Sequence, residues 1–148
     1  MTGHIEMMQL AERVALQSAC KRAQVGAVVV DSLGWITKGC NHNAGGAIDC
    51  CEGADGKTLP EVMHAEAVAI RHATQRGASP ETLYVTRQPC IHCAKLITAA
   101  GIKSVYYRDA HRNDWGLRWL TWHGVEVDSG WITGRVADSW AERNGVAG

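Results

Sequence analysis

The chain has 148 residues, 46% of them hydrophobic, and its fifteen basic residues balance fifteen acidic ones. The length and apolar content suit one domain over residues 1–148, and no apolar run approaches the roughly 20 residues of a membrane-spanning helix. The zero net charge argues against a long nucleic acid as partner, because such proteins carry a basic face, and favours a small-molecule substrate.

The predicted elements begin with a helix over residues 5–19, followed by a hairpin of strands at 25–30 and 35–39. Residues 41–60 form a long loop, rich in Gly, Asn, Asp and Cys, and loops of this length are often functional. Helices at 64–76, 89–100 and 112–122 then alternate with strands at 82–86, 103–107 and 125–127. This order predicts α/β layers around one sheet.

The cysteines are the first chemical signal. Residues 1–10 lack the apolar stretch of a secretory signal, so we expect an intracellular, cytoplasmic protein with no membrane contact. In that compartment thiols stay reduced, and clustered cysteines in a chain with six of them are better interpreted as metal ligands than as disulfides.

Three candidate ligands stand at predicted helix starts. His64 opens one helix, and Cys90 and Cys93 lie in the first turn of another, one turn apart on the same face. The unpaired N–H groups of a helix start favour thiolates. One imidazole and two thiolates leave the fourth position of a tetrahedral Zn²⁺ ion for water, which is the pattern of a catalytic zinc site.

Glu66 is the candidate acid–base group. It follows His64 by two residues, too close to be an attractive fourth ligand but able to reach water at the metal. Because zinc lowers the pKa of bound water to about 7, a carboxylate there can take the water proton and deliver it to a ring nitrogen. The arrangement predicts hydrolysis at an amidine-like ring carbon with release of ammonia.

Other interpretations of the cysteine pair stay open. A C-x-x-C pair can be a redox pair, a coincidence, or part of a closed structural zinc site, for which Cys50 or Cys51 would be the fourth ligand. We favour catalytic zinc because the pair occurs together with His64 and Glu66, both at helix starts.

With these residues in view, the chain resembles the cytidine and deoxycytidylate deaminase superfamily, most closely its deoxycytidylate branch, phage enzymes included. The resemblance covers residues 14–107 and the pattern H-x-E…P-C-x-x-C. A histidine as first ligand separates the chain from free cytidine deaminases, and the double cysteine at 50–51 separates it from transfer-RNA adenosine deaminases. Further matching segments are VGAVVV at 25–30, GCN at 39–41, TLYVT at 82–86 and PCIHCAK at 89–95.

The resemblance implies a single zinc-dependent deaminase domain with a three-layer α/β/α fold and a five-stranded mixed sheet. It implies that Asn41 contacts the sugar and that the backbone at Ala65 contacts the base. Each residue also has a purely structural interpretation, Asn41 as a turn residue and Ala65 as helix packing. The resemblance further implies a homo-oligomer, commonly a hexamer.

Two departures from the family pattern bear on regulation and on a second metal. The loop at 42–46 lacks the family's proline-containing sequence, which puts nucleotide feedback control in doubt. Some phage relatives bind a second, structural zinc through cysteines at the positions of Cys20 and Cys50, but Val62 occupies one expected ligand position here. We therefore expect Cys20, Cys50 and Cys51 to be buried free thiols, with the second zinc as the alternative.

Several residues carry weaker signals. Tyr106 and Tyr107 end a strand near the expected cleft, where one could line the base pocket and the other the core. His92, between the two cysteines, is expected on the surface. A phosphate would need a cation, without a preference among Arg22, Lys57, Arg87, His111 and Arg112. Core or interface packing is expected for Trp115, Trp119, Trp122, Trp131 and Trp140.

The leading hypothesis is hydrolytic deamination of deoxycytidine monophosphate (dCMP), with a 5-substituted dCMP as a variant substrate. The alternative enzyme is a deaminase of another small amine-bearing heterocycle or of adenosine in transfer RNA, against which the neutral charge speaks. The alternative outside catalysis is a zinc-stabilised binding module, in which Glu66 would be incidental.

Overall fold

The computed structural model describes residues 3–20, 22–44 and 51–129. Within them the helices are α1 (His4–Ala15), α2 (Ala65–Gln75), α3 (Ile91–Ala99) and α4 (Trp115–Trp122). The strands are β1 (Gly26–Asp31), β2 (Ile36–Cys40), β3 (His42–Asn43), β4 (Val62–Met63), β5 (Pro80–Arg87), β6 (Ser104–Asp109) and β7 (Glu126–Asp128). None of the described helices is both long enough and apolar enough to cross a membrane.

Five strands form one sheet in the order β2-β1-β5-β6-β7, and β3 pairs with β4 in a separate two-stranded ribbon. Strand β1 is antiparallel to β2 and β5, whereas β5, β6 and β7 run parallel. The parallel strands are joined by α3 and α4, as parallel strands require a crossover. The prediction of a five-stranded mixed sheet is confirmed.

Side-chain alternation along the strands divides the core between the two faces of the sheet. Val29 and Leu83 pack with the apolar sides of α2, α3 and α4. Their neighbours Val28 and Tyr84 point the other way and pack against Met8 of α1. The protein is therefore a three-layer α/β/α structure, as predicted, with α1 alone on one face among the described helices.

Three predicted helix ends need correction. Helix α1 ends at Ala15 instead of residue 19, because the Ser18 hydroxyl donates to the Asn41 carbonyl and accepts from the Cys20 N–H, which draws the chain out of the helix. Helix α3 begins at Ile91, after the Pro-Cys pair. Helix α4 begins at Trp115, whose N–H is bonded to the side chain of Asn113.

The expectation of free thiols is wrong for Cys20 and Cys51, which form a disulfide in this structure with their Cα atoms 5.4 Å apart. The turn after α1 and the chain before β4 meet here, a long-range contact that spacing along the sequence does not reveal. Cys50 lies outside the described residues. Cys40 is free and half-buried, as a packing residue would be.

Candidate metal centre

Two helix starts bring the three predicted ligands together. His64 is the residue that caps the N-terminus of α2, and Cys90 does the same for α3, while Cys93 lies in the first turn of α3. The Nδ1 atom of His64 is 3.3 Å from the Sγ of Cys93 and 3.6 Å from the Sγ of Cys90. All three ligand atoms lie within 4.8 Å of one another.

These distances fit a zinc ion. With Zn–S bonds of about 2.3 Å and Zn–N bonds of about 2.0 Å, two ligands of a tetrahedral ion are separated by about 3.6 Å. The two N–S separations differ from that value by at most a few tenths of an ångström. Imidazole and thiolates are also the donors that zinc prefers. Within the described ranges, this is the one group of side chains with such geometry.

Hydrogen bonds join the His64 imidazole to the sulfurs of Cys90 and Cys93. A hydrogen bond from the Cys93 thiol, together with one from His64, lowers the pKa of the Cys90 thiol from 9.0 to about 3. The hydrogen bond to Cys90, together with burial, raises the pKa of Cys93. The bond to Cys90 also raises the pKa of His64. The site thus holds one thiolate and one thiol near neutral pH, and the thiol must lose its proton before it can bind metal.

Glu66 lies beside the cluster, as predicted. It is in the first turn of α2, its side chain is buried with only 4% exposed, and it interacts with Cys93. Burial raises the pKa of its carboxyl from 4.5 to about 7. A group that titrates close to neutral pH can both accept and return a proton, which is what general acid–base catalysis requires.

The start of α4 fixes the start of α3. Gly116, in the first turn of α4, lies directly against the carbonyls of Pro89 and Cys90, and a Cβ atom there would overlap the Pro89 oxygen. Only glycine permits this approach. The ligand Cys90 is therefore held between the end of β5 and α4.

A pocket leads from the metal cluster to the surface, and the predicted substrate contacts Asn41 and Ala65 both lie in its wall. Ala65 is fully buried. The Asn41 amide is committed to the backbone: its Oδ1 accepts from the Val25 N–H at 2.9 Å, and its Nδ2 donates to the Ala23 carbonyl at 2.6 Å. Asn41 thus ties two backbone segments of the pocket wall together.

One of the five candidate cations, Arg87, lines the pocket, and the other four are absent from the lining that the described residues form. Sequence reasoning missed Gln88, which is buried in the same wall. Its Oε1 accepts from the His111 N–H at 2.8 Å, and its Nε2 donates to the Asn113 carbonyl at 2.7 Å. The only sequence signal was a polar residue directly before Pro89.

The tyrosine prediction is wrong for the pocket. Tyr107 is fully buried in the core, and Tyr106 stacks on Tyr84 on the other face of the sheet. His92 is on the surface, as expected.

Tryptophan packing is mixed. Trp119 packs against the core and donates from its indole to Thr98, whereas Trp115 and Trp122 are exposed. Trp131 and Trp140 lie outside the described residues.

Comparison with known proteins agrees with this geometry. The model of the family described as "Cytidine and deoxycytidylate deaminase zinc-binding region" matches residues 1–109. The chain is 35% identical over 112 residues to the deoxycytidylate deaminase of Mycobacterium phage D29, covering 66% of this chain and 88% of that protein. It is 34% identical over 112 residues to ComE operon protein 2 of Bacillus subtilis, covering 71% of this chain but only 58% of that protein.

Among solved structures, the dCMP deaminase of cyanophage S-TIM5 in complex with dCMP and dUMP is 39% identical. It superposes with a TM-score of 0.78 over 87% of this chain and 98% of the phage chain. The fold, the ligand cluster and the extent of these matches lead to one assignment: the chain belongs to the cytidine and deoxycytidylate deaminase family.

Proposed function

We propose that the protein hydrolyses dCMP to deoxyuridine monophosphate (dUMP) and ammonia. The observation that carries the proposal is a buried glutamate, Glu66, next to a three-ligand zinc site in the wall of a pocket. The relative from cyanophage S-TIM5 was solved with dCMP and dUMP, and the phage D29 relative is named as a deoxycytidylate deaminase.

A zinc ion held by His64, Cys90 and Cys93 would lower the pKa of a water molecule to about 7 and polarise it for attack. Glu66 would take one proton from the water and pass it to the ring nitrogen next to the reacting carbon, while the water oxygen bonds to that carbon. Glu66 would then take the remaining proton from this oxygen and give it to the exocyclic amine, so that the C=O bond forms as the C–N bond breaks and ammonia leaves. Burial raises the pKa of the Glu66 carboxyl to about 7, where it can accept and return a proton, and it keeps the carboxyl away from bulk solvent.

The test is ammonia release from a panel of dCMP, deoxycytidine, 5-methyl-dCMP, 5-hydroxymethyl-dCMP and adenosine-containing transfer RNA. We expect turnover of dCMP by the wild-type protein. Glu66→Gln keeps the shape of the side chain but cannot accept a proton, so its rate should fall by about 10²- to 10⁴-fold with zinc content unchanged.

Glu6→Gln, an exposed glutamate on α1, is the matched control and should keep the wild-type rate. Equal rates for Glu66→Gln and wild type would remove Glu66 from the mechanism. Absence of turnover on every member of the panel would favour a zinc-stabilised binding module, and preference for a 5-modified nucleotide would change the substrate but not the reaction.

Three wider proposals accompany the reaction. We propose that residues 1–148 form one deaminase domain. The support is that β7, which lies beyond the end of the family match at residue 109, pairs with β6 in the same sheet.

A cytoplasmic location is supported by the substrate, since a charged nucleotide does not cross membranes unaided. Exposed Leu96 and Trp122 support a homo-oligomer, which light scattering would measure.

A further inference from the structure

Most polar side chains in the pocket wall already have a task. His64 and Cys90 belong to the metal cluster, and Glu66 lies beside it. Both amide atoms of Asn41, and both of Gln88, are bonded to backbone groups. These groups bind metal, transfer protons or hold the wall in place, and each is neutral or acidic apart from the imidazole ligand.

Arg87 is different. It is the last residue of β5, it is exposed, and it lines the same pocket. Within the described parts of the chain its guanidinium forms no hydrogen bond and no ion pair. The acid opposite it in the parallel register is Asp109, but both oxygens of that carboxylate are bonded to Arg108, at 3.0 and 2.8 Å. Arg87 is thus a cation whose nearest strand partner is already neutralised.

The charges of the site require such a group if the substrate is an anion. Two thiolates offset the charge of a bound zinc ion, and the Glu66 carboxylate then leaves the pocket negative around the metal cluster. A phosphate entering that pocket is repelled unless a cation lies in its wall. Among the described lining residues, Arg87 is the one permanent cation, because a guanidinium stays protonated at any physiological pH.

We propose that Arg87 is a specificity-determining residue that binds the 5′-phosphate of the nucleotide. The inference rests on the proposed deamination of dCMP and adds how the site distinguishes a nucleotide from a nucleoside. The guanidinium fork matches two phosphate oxygens at once, so it gives orientation as well as attraction. Arg87 precedes the ligand Cys90 by three residues, so the same segment positions the phosphate and the metal.

The kinetic test compares dCMP with deoxycytidine, which differ only in the phosphate. Arg87→Gln should lower kcat/KM for dCMP by about 10- to 100-fold, the range expected for one lost charge-assisted bond, and should leave deoxycytidine within about twofold. Arg87→Lys should fall between wild type and Arg87→Gln, because it keeps the charge without the fork. Arg71→Gln, an exposed arginine on α2 outside this pocket, is the matched control and should match wild type on both substrates.

Equal losses on both substrates, or no loss on dCMP, would overturn the assignment. The assignment would also be overturned if Arg87→Gln lowered kcat/KM for 5-hydroxymethyl-dCMP but not for dCMP, because Arg87 would then act on the base substituent.

A binding measurement separates this inference from the proposed reaction. Calorimetry of dCMP with zinc-loaded Glu66→Gln protein should show binding that weakens by a similar factor when Arg87→Gln is added. If wild type lacks turnover but this dependence on Arg87 remains, the proposed reaction fails and the phosphate site stands. If dCMP binds equally with and without Arg87, or does not bind at all, the phosphate site fails.

Discussion

Two parts of the pocket wall are built in different ways. The metal cluster comes from two helix starts: His64 precedes α2, and Cys90 precedes α3, 26 residues later. The rest of the wall combines segments that are far apart in sequence, around Ala23, Asn41 and Thr58. The comparison teaches that short motifs determine the chemistry of this protein, whereas tertiary packing determines the shape that selects its substrate.

The largest effect should come from breaking the metal cluster. Cys93→Ser removes a buried ligand, so purified protein should lose its zinc and its deaminase rate should fall by at least about 10³-fold, because the water is no longer activated. Metal analysis and ammonia release measure the two quantities. Cys40→Ser, a half-buried free cysteine in β2, is the control and should keep both. Full activity of a zinc-free Cys93→Ser protein would contradict the metal mechanism.

A second effect tests the protonation of the metal cluster. The pKa of Cys93 is raised above 9.0 and that of His64 above 6.5, so near pH 7 metal binding must release at least about one proton. Cys90, with a pKa of about 3, is already a thiolate and releases none. Zinc affinity should therefore rise with pH, by about tenfold or more per unit between pH 6 and 8.

Competition with a chromophoric chelator at three pH values gives this slope. Calorimetry in buffers of different ionisation enthalpy gives the number of protons released. An affinity independent of pH would show that the metal-free thiols are already ionised.

The smallest effect tests the rest of the pocket wall, at Asn41. Asn41→Ala leaves the Val25 N–H and the Ala23 carbonyl without their partner, so we expect a loss of about 1–3 kcal/mol in the free energy of unfolding. Urea denaturation measures it, with Gln9→Ala, an exposed position on α1, as the control within about 0.5 kcal/mol of wild type. Unchanged stability combined with a raised KM for dCMP would instead show that Asn41 acts by touching the substrate.

Much of the metal cluster could be predicted from sequence because its information is local. The spacing of Cys90 and Cys93 is a helix repeat, and the separation of His64 from Glu66 places both at one helix start. The sheet could also be predicted from the sequence, since β1 and β5 are β-branched or apolar runs between turns.

Features that depend on contacts between distant segments could not be predicted in the same way. The disulfide of Cys20 joins residues 31 positions apart, and the face chosen by Tyr106 depends on strand register that the sequence pattern leaves open. Gln88 gave no signal because its partners, the backbone of His111 and Asn113, belong to a loop that only the folded chain brings near. Predicted helix ends erred where local polar bonds, such as that of Ser18, interrupt the helix.

Gly116 shows how far the influence of the metal site extends. The residue has no reactive atom, yet any larger side chain would push the backbone of Pro89 and Cys90 and so move a sulfur ligand. A variant library screened for activity would mark this position as essential, although it lies outside both the described pocket lining and the ligand cluster. Engineers who wish to graft a different α4 onto this scaffold must keep a hydrogen atom where every other amino acid would bring a carbon.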